Sequence, residues 1–428
     1  MSDTSALVAP RQAAEPRTRS WMLSPYSLPV HMLRIAGSCA LPLIMWFSLG
    51  RVVRWGLLLL AATISHGSWY QARLIATVFL FTLVVMTSLA TTVGMLHVIR
   101  GALMETQARR AAGEGREGIF GALNRTALLF AGIYMTWGFV LQDVRDFMDI
   151  DLFRQPDVIF TDAFSGQDSK VMEGLTNLDL TISLVGMVLA YVLKTVFGRK
   201  HEASEGRFSG IVATFGELAF VFYGINVVAT AVDTRSGWVG SRTALVALKE
   251  WVTDAEANVP GFAAFWGFMG DAWPYVVEAL ILPLAWLTVG VLVYGAYVDD
   301  TETTIRGTRL ETVAARMEQT HTLTRRVAAR LTAGWTERWI PLINAFRLTV
   351  RGGAPLFGLF ALCYVGLQVG SDYLGRAGRY LLAGDRPYFW FVTDVPVEFV
   401  TDLVTTTLTM CLIAATFDLA ATRSRLGR

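Results

Sequence analysis

Charge is what this chain has least of. Asp, Glu, Lys and Arg make up 17% of its 428 residues, where a soluble domain carries about a quarter. Cysteine is scarcer still. Cys39, Cys363 and Cys411 are the only three, and each falls inside an apolar run. They support neither a disulfide framework nor a metal-ligand spacing, and read as small packing residues. Lysine occurs only at Lys170, Lys194, Lys200 and Lys249 among 37 basic residues, an arginine bias that suits a GC-rich bacterial genome.

Histidine is limited to His31, His66, His97, His201 and His321. His66 and His97 flank the first hairpin on opposite sides of the membrane, which argues against a bis-histidine haem. No His-Glu-x-x-His, Gly-x-Ser-x-Gly or GxxxxGK[ST] pattern occurs, so protease, hydrolase and P-loop chemistries find no residues. Asp149 and Asp151 lack a calcium-loop pattern with a central glycine and read as part of a solvated acidic loop. The expectation is a non-enzyme with no cofactor and no metal. A net charge of +2 gives nucleic acid no electrostatic footprint.

What the chain has is apolar length. Runs at 38–64, 74–98, 120–141, 180–198, 208–232, 273–298, 354–371 and 398–420 each approach or exceed the roughly 20 residues a spanning helix needs. Backbone polar groups cannot stay unpaired in lipid, so runs of this length are helices. A β-barrel would show runs of about ten residues in strict alternation, and none is present. The fold class is therefore an all-α polytopic transmembrane helix bundle of about eight spans.

The basic residues sort between the gaps. Of the 37, 23 fall on the side of the two termini and ten on the other, with Arg51, Arg54, Arg125 and Lys194 within or beside spans. By the positive-inside rule both termini are cytoplasmic. The 142–179 gap agrees, with nine acids against three bases. The localisation expected is a bacterial cytoplasmic (inner) membrane, multi-pass, with membrane lipid as the first partner.

The organisation follows. Residues 1–34 form a polar basic cytoplasmic tail. Residues 35–298 carry spans one to six, with an acidic outer loop at 142–179 and an outer amphipathic segment at 240–270. Residues 299–353 form a cytoplasmic segment whose stretch 303–333 reads as an amphipathic helix able to lie on the inner leaflet or bind a partner helix. Spans seven and eight occupy 354–420, and 421–428 is a basic C-tail. A second copy of the chain is a further candidate partner. Spans three, five and seven each carry a mid-helix tyrosine and exit near an acid, Tyr134 to Asp143, Tyr223 to Asp233 and Tyr364 to Asp372, a weak sign of three repeated hairpins.

Interruptions of the apolar runs carry the chemistry. In the last span Glu398, Asp402, Thr405, Thr409 and Thr416 recur at helical spacing and share one face, with Asp418 at the cytoplasmic end. A polar stripe in lipid must face protein or water, so it reads as a pathway wall or as helix-packing hydroxyls. Glu217 sits in span five among apolar neighbours and is a coupling candidate or half of an ion pair, with Arg51, Arg54 and Arg125 as partners to consider. Glu278 stands near the outer start of span six, one turn before Pro283, which can kink the helix. Arg51 and Arg54 interrupt span one. Either a long helix turns them to protein or water, or 33–50 spans and 53–65 lies on the outer surface.

Two functions fit these residues: movement of a small solute or ion through the bundle as a channel or secondary transporter, or a non-catalytic subunit that scaffolds or anchors a larger complex.

Overall fold

The computed structural model describes residues 24–65, 70–112, 118–154, 180–202, 209–240, 262–294, 353–383 and 387–426. Among these residues the structure is helices and short turns, with no strand. A 3₁₀ turn at Pro25–Ser27 leads into α1 (Leu28–Ile64), followed by α2 (Tyr70–Ile99), α3 (Met104–Ala111), α4 (Ile119–Thr136), α5 (Phe139–Arg154), α6 (Leu180–Glu202), α7 (Ser209–Gly240), α8 (Phe262–Val276), a π-turn at Val277–Ile281, α9 (Leu282–Tyr294), α10 (Ala354–Ala383) and α11 (Pro387–Leu426).

Among the described residues six stretches are long and apolar enough to cross a membrane: Pro25–Ile64, Ile75–Ile99, Ile119–Thr136, Ala264–Tyr294, Ala354–Leu382 and Val392–Arg423. The runs 180–198 and 208–232 fall on α6 and α7. Ser209–Gly224 of α7 is apolar but short over its described residues, and α6 carries Lys194 and the charged end Arg199–Glu202.

Three boundaries depart from the sequence expectation. First, α1 runs unbroken for 37 residues through Pro42, Arg51 and Arg54. The alternative in which 53–65 leaves the helix to lie on the surface is overturned, because the ladder continues past both arginines. Second, the run 120–141 is cut at Trp137–Gly138. Gly138 adopts φ +73°, a left-handed conformation that costs glycine little, and the chain turns there into α5. The acids of 143–151 therefore sit on a helix packed against α1, and Asp143 and Asp151 are buried where a solvated loop was expected. Third, Phe262–Met269, which falls in the outer amphipathic segment expected at 240–270, opens one continuous helical stretch with the π-turn and α9. Pro283 lies just past the π-turn. A proline lacks an N–H and crowds the preceding turn, and the wider turn before it absorbs that defect.

Packing fixes the relative directions. Gly50 of α1 lies on Thr91 of α2, and Gly94 of α2 lies under the ring of Trp46, so α1 and α2 are antiparallel. His31 meets Asp418 and Arg51 meets Glu398, so α1 and α11 are antiparallel too. Gly290 abuts Ile413, and the rings of Tyr294 and Phe417 stand 4.7 Å apart, which sets α9 parallel to α11. In the α6–α7 hairpin Gly216 lies against the backbone of Lys194 and Gly186 against Tyr223. The main core gathers α1, α2, α4, α9, α10 and α11. Its centre is the last part of α11, where every residue from Thr409 to Thr422 is buried. Outward faces stay apolar, as Leu41, Met45 and Val52 of α1 and Leu362 of α10 illustrate.

Candidate functional site

The two arginines that interrupt α1 organise a polar cavity. Arg51 Nη2 lies 3.1 Å from Glu398 Oε1 and 3.2 Å from Asp402 Oδ2. One turn further, Arg54 donates to Asp143 through Nε at 3.0 Å and also through Nη2, and to Asp146 Oδ2 at 2.5 Å. Asp143 Oδ2 in turn accepts from the hydroxyl of Tyr134 at 2.5 Å. The spacing of three places Arg51 and Arg54 on neighbouring positions of one helix face. The turn at Gly138 brings α5 back onto that face.

Of these groups Arg51, Arg54, Tyr134, Asp143 and Asp402 open on a cavity of about 400 Å³. From α1 it takes Phe47, Gly50, Arg51 and Arg54; from α2, Ser88, Thr91 and Thr92; from α4 and α5, Phe130, Tyr134, Phe139, Gln142 and Asp143. Trp286 of α9, Tyr364, Gln368 and Ser371 of α10, and Asp402, Thr405, Thr406, Thr409 and Met410 of α11 complete it. One wall is a closed circuit of rings. Phe130 stacks on Tyr134 at 5.5 Å, Tyr134 meets Phe139 at 5.6 Å, Phe139 meets Trp286 at 6.4 Å, and Trp286 returns to Phe130 at 5.9 Å.

The stripe on the last span divides in two. Asp402, Thr405 and Thr409 line the cavity, whereas Glu398 stands half exposed at its edge, paired to Arg51. Thr405 donates to the carbonyl of Thr401 at 2.8 Å, the local bond a threonine makes in a helix. Thr409 is 7% exposed and its Oγ1 has no hydrogen-bond partner. Thr416 is packed away from the cavity and bonds the carbonyl of Leu412. Between Thr409 and Asp418, roughly 13 Å of helix by its rise per residue, every residue of α11 is buried.

Asp418 is fully buried at the other end of the bundle. Its carboxylate accepts from the backbone N–H of Met104 at 3.0 Å and of Glu105 at 2.7 Å, and lies 2.9 Å from Nε2 of His31. It thus caps α3 from a distant helix, since Leu103 at the N-cap offers no side-chain bond. Glu105 pairs with Arg109 at 3.1 Å and Arg425 at 3.5 Å.

Glu217 lies outside the cavity. Its carboxylate is buried 3.2 Å from Lys194 Nζ across the α6–α7 hairpin. Glu278 is exposed on the π-turn and does not line the cavity. The segment 303–333 lies outside the described residues. Among the described residues no cluster of three His, Cys, Asp or Glu could hold a metal.

Sequence reading brought Arg51, Arg54, Asp402, Thr405 and Thr409 to attention separately, but did not join them. It missed Asp143 and Asp146 as partners of Arg54. The available signal was the count, since two unpaired arginines in an apolar helix require acids from another segment. It also missed the aromatic circuit, because those four rings come from three helices.

No protein-family model, curated protein or solved structure matches this chain. Its class rests on architecture: among the described residues, six helices of membrane-spanning length and composition in a helical bundle with apolar outward faces, the build of a multi-pass membrane protein. Within that class the particular feature of this chain is a small-molecule-sized cavity with an arginine–carboxylate rim.

Proposed function

We propose that this chain moves a small solute or ion across a bilayer through the cavity between α1 and α11. The observation that carries the reading is the cavity itself. It places the hydroxyls and carboxylate of the α11 stripe against roughly 400 Å³ of open space, within the size range of small-molecule sites. A stripe used only for helix packing would be buried against a neighbour.

The geometry of α1 and α11 supports a position in the membrane. His31 and Arg51 are 20 residues apart, as are Glu398 and Asp418, about 30 Å at 1.5 Å per residue. That is one hydrocarbon thickness. Two layers of charged pairs therefore lie a bilayer apart, with the apolar band between them, and neither arginine needs to sit at mid-membrane. The His31 layer gathers Arg109 and Arg425, so the positive-inside rule makes it cytoplasmic. The cavity then faces the outer side, and packed α11 from Met410 to Phe417 closes it towards the inside. A closed inner side favours a transporter that alternates its access over a standing pore. Glu217 serves in this reading as a structural ion pair.

Reconstitution tests it. Proteoliposomes should carry solute-driven currents that fall at least about tenfold in Asp402→Asn, at equal reconstituted protein, and stay near wild type in Glu217→Gln. Currents equal to those of empty liposomes across amines, ions and organic acids, or unchanged by Asp402→Asn, overturn the reading.

A further inference from the structure

We propose that the cavity selects small organic ammonium ions: a cationic nitrogen carried on an apolar body. The inference rests on the cavity being the solute site, and it names the class of solute.

Charge balance is the first argument. Each guanidinium at the rim is engaged by two carboxylates, Arg51 by Glu398 and Asp402, and Arg54 by Asp143 and Asp146. Asp143 and Asp402 line the cavity with the two arginines, and Glu398 and Asp146 engage the same arginines from outside the lining, so the four acids around the mouth exceed the two bases by two charges. An anion would find both arginines already neutralised, whereas a cation meets a net negative rim. Asp402 directs one oxygen at Arg51 and is itself a lining residue of the cavity.

The aromatic wall is the second argument. Of the closed circuit described above, Phe139 and Trp286 are half-buried at the cavity wall, with the buried rings of Phe130 and Tyr134 packed behind them. Aromatic faces attract cations, and cages of several rings suit alkylammonium groups in particular. They also bind the hydrocarbon part of such a molecule. A bare metal cation fits poorly, because rings do not replace its lost oxygen shell and the volume far exceeds one ion.

Titration calorimetry on the full chain in phosphatidylglycerol nanodiscs tests this without requiring flux. The probes are tetraethylammonium, phenethylammonium, benzoate and potassium. Both ammonium ions should bind, with benzoate and potassium at least about tenfold weaker. Trp286→Leu should weaken tetraethylammonium by roughly three- to thirtyfold, the span of a desolvated cation–π contact. Asp402→Asn should weaken it about as much, each variant being checked for monodispersity and melting temperature. Loss of affinity when the nanodiscs contain phosphatidylcholine supports the same chemistry and assigns it to a lipid headgroup. Benzoate binding as tightly as the ammonium ions overturns the inference, as does ammonium affinity indifferent to both substitutions. If either variant fails to fold, the four-probe comparison on wild type still decides. Binding without flux would retain this inference and reject transport. Flux of anions alone would do the reverse.

Discussion

His31 and Asp418, 387 positions apart in sequence, meet with Nε2 2.9 Å from Oδ2. The same carboxylate holds the first two amides of α3. One buried side chain thus ties the start of α1, the end of α11 and the connecting helix between α2 and α4. Asp418→Ala should remove about 3 kcal/mol of stability, because it leaves two amides and an imidazole without their acceptor. Asp418→Asn keeps one acceptor oxygen and should cost less. Thermal unfolding in detergent, followed by size-exclusion chromatography, ranks the two.

Arg54 and Arg51 should differ sharply. Arg54 is the partner of Asp143, whose side chain is 2% exposed. Arg54→Ala strands that carboxylate and should cost about 3–5 kcal/mol, as expected when a buried pair loses one member. Arg54→Lys should recover only part of this, since an ammonium cannot reproduce a guanidinium fork on two acids. Arg51 faces half-exposed acids, and Arg51→Ala should cost about 1 kcal/mol or less. Equal melting temperatures for the two alanine variants would contradict the assignment.

Lys194 and Glu217 provide the matching test away from the cavity. Lys194→Met alone should destabilise the α6–α7 hairpin by a few kcal/mol, because Glu217 stays buried without that charge partner. Adding Glu217→Gln to Lys194→Met should restore much of the loss. A double-mutant cycle with no coupling would remove the pair as a structural element.

Close approach can be probed at glycines. A Cβ at Gly216 would lie 2.7 Å from the backbone nitrogen of Lys194 and 3.0 Å from the carbonyl oxygen of Ala190. Backbone atoms cannot turn aside, so Gly216→Ala should prise α6 from α7 at about 1–3 kcal/mol, the usual scale for overpacking. Gly37→Ala, with nothing within 4 Å, is the control and should stabilise slightly through helix propensity. Melting curves of both variants give the comparison.

Much of the fold was present in the sequence as hydropathy. The long apolar runs became α1, α2, α4, the α8–α9 stretch, α10 and α11, because length and apolar content alone force helices in lipid. The failures share one physical cause. Periodicity describes a single helix, whereas Arg54–Asp143, His31–Asp418 and Lys194–Glu217 join residues from different helices. The turn at Gly138 decides that Asp143 reaches Arg54, and a lone glycine inside an apolar run carries no such signal. The helical spacing of Asp402, Thr405 and Thr409 did mark three cavity residues, because a shared face is a property of one helix. The same spacing included Thr416, which lies two turns past the cavity floor and is packed. Periodicity records direction around the helix axis but not where along it the cavity ends.

The central claim is that the α11 stripe lines a path open to one side at a time. The most direct measurement is the sidedness of modification at Thr405→Cys, a part-exposed lining position, in a background with Cys39, Cys363 and Cys411 replaced by alanine. A membrane-impermeant, ammonium-bearing thiol reagent is added separately to right-side-out and inside-out vesicles. The account predicts fast modification from the outer side and slower, but measurable, modification from the inner side, with an organic ammonium ion protecting from both. No reaction from either side, or reaction that no ammonium ion slows, would contradict it.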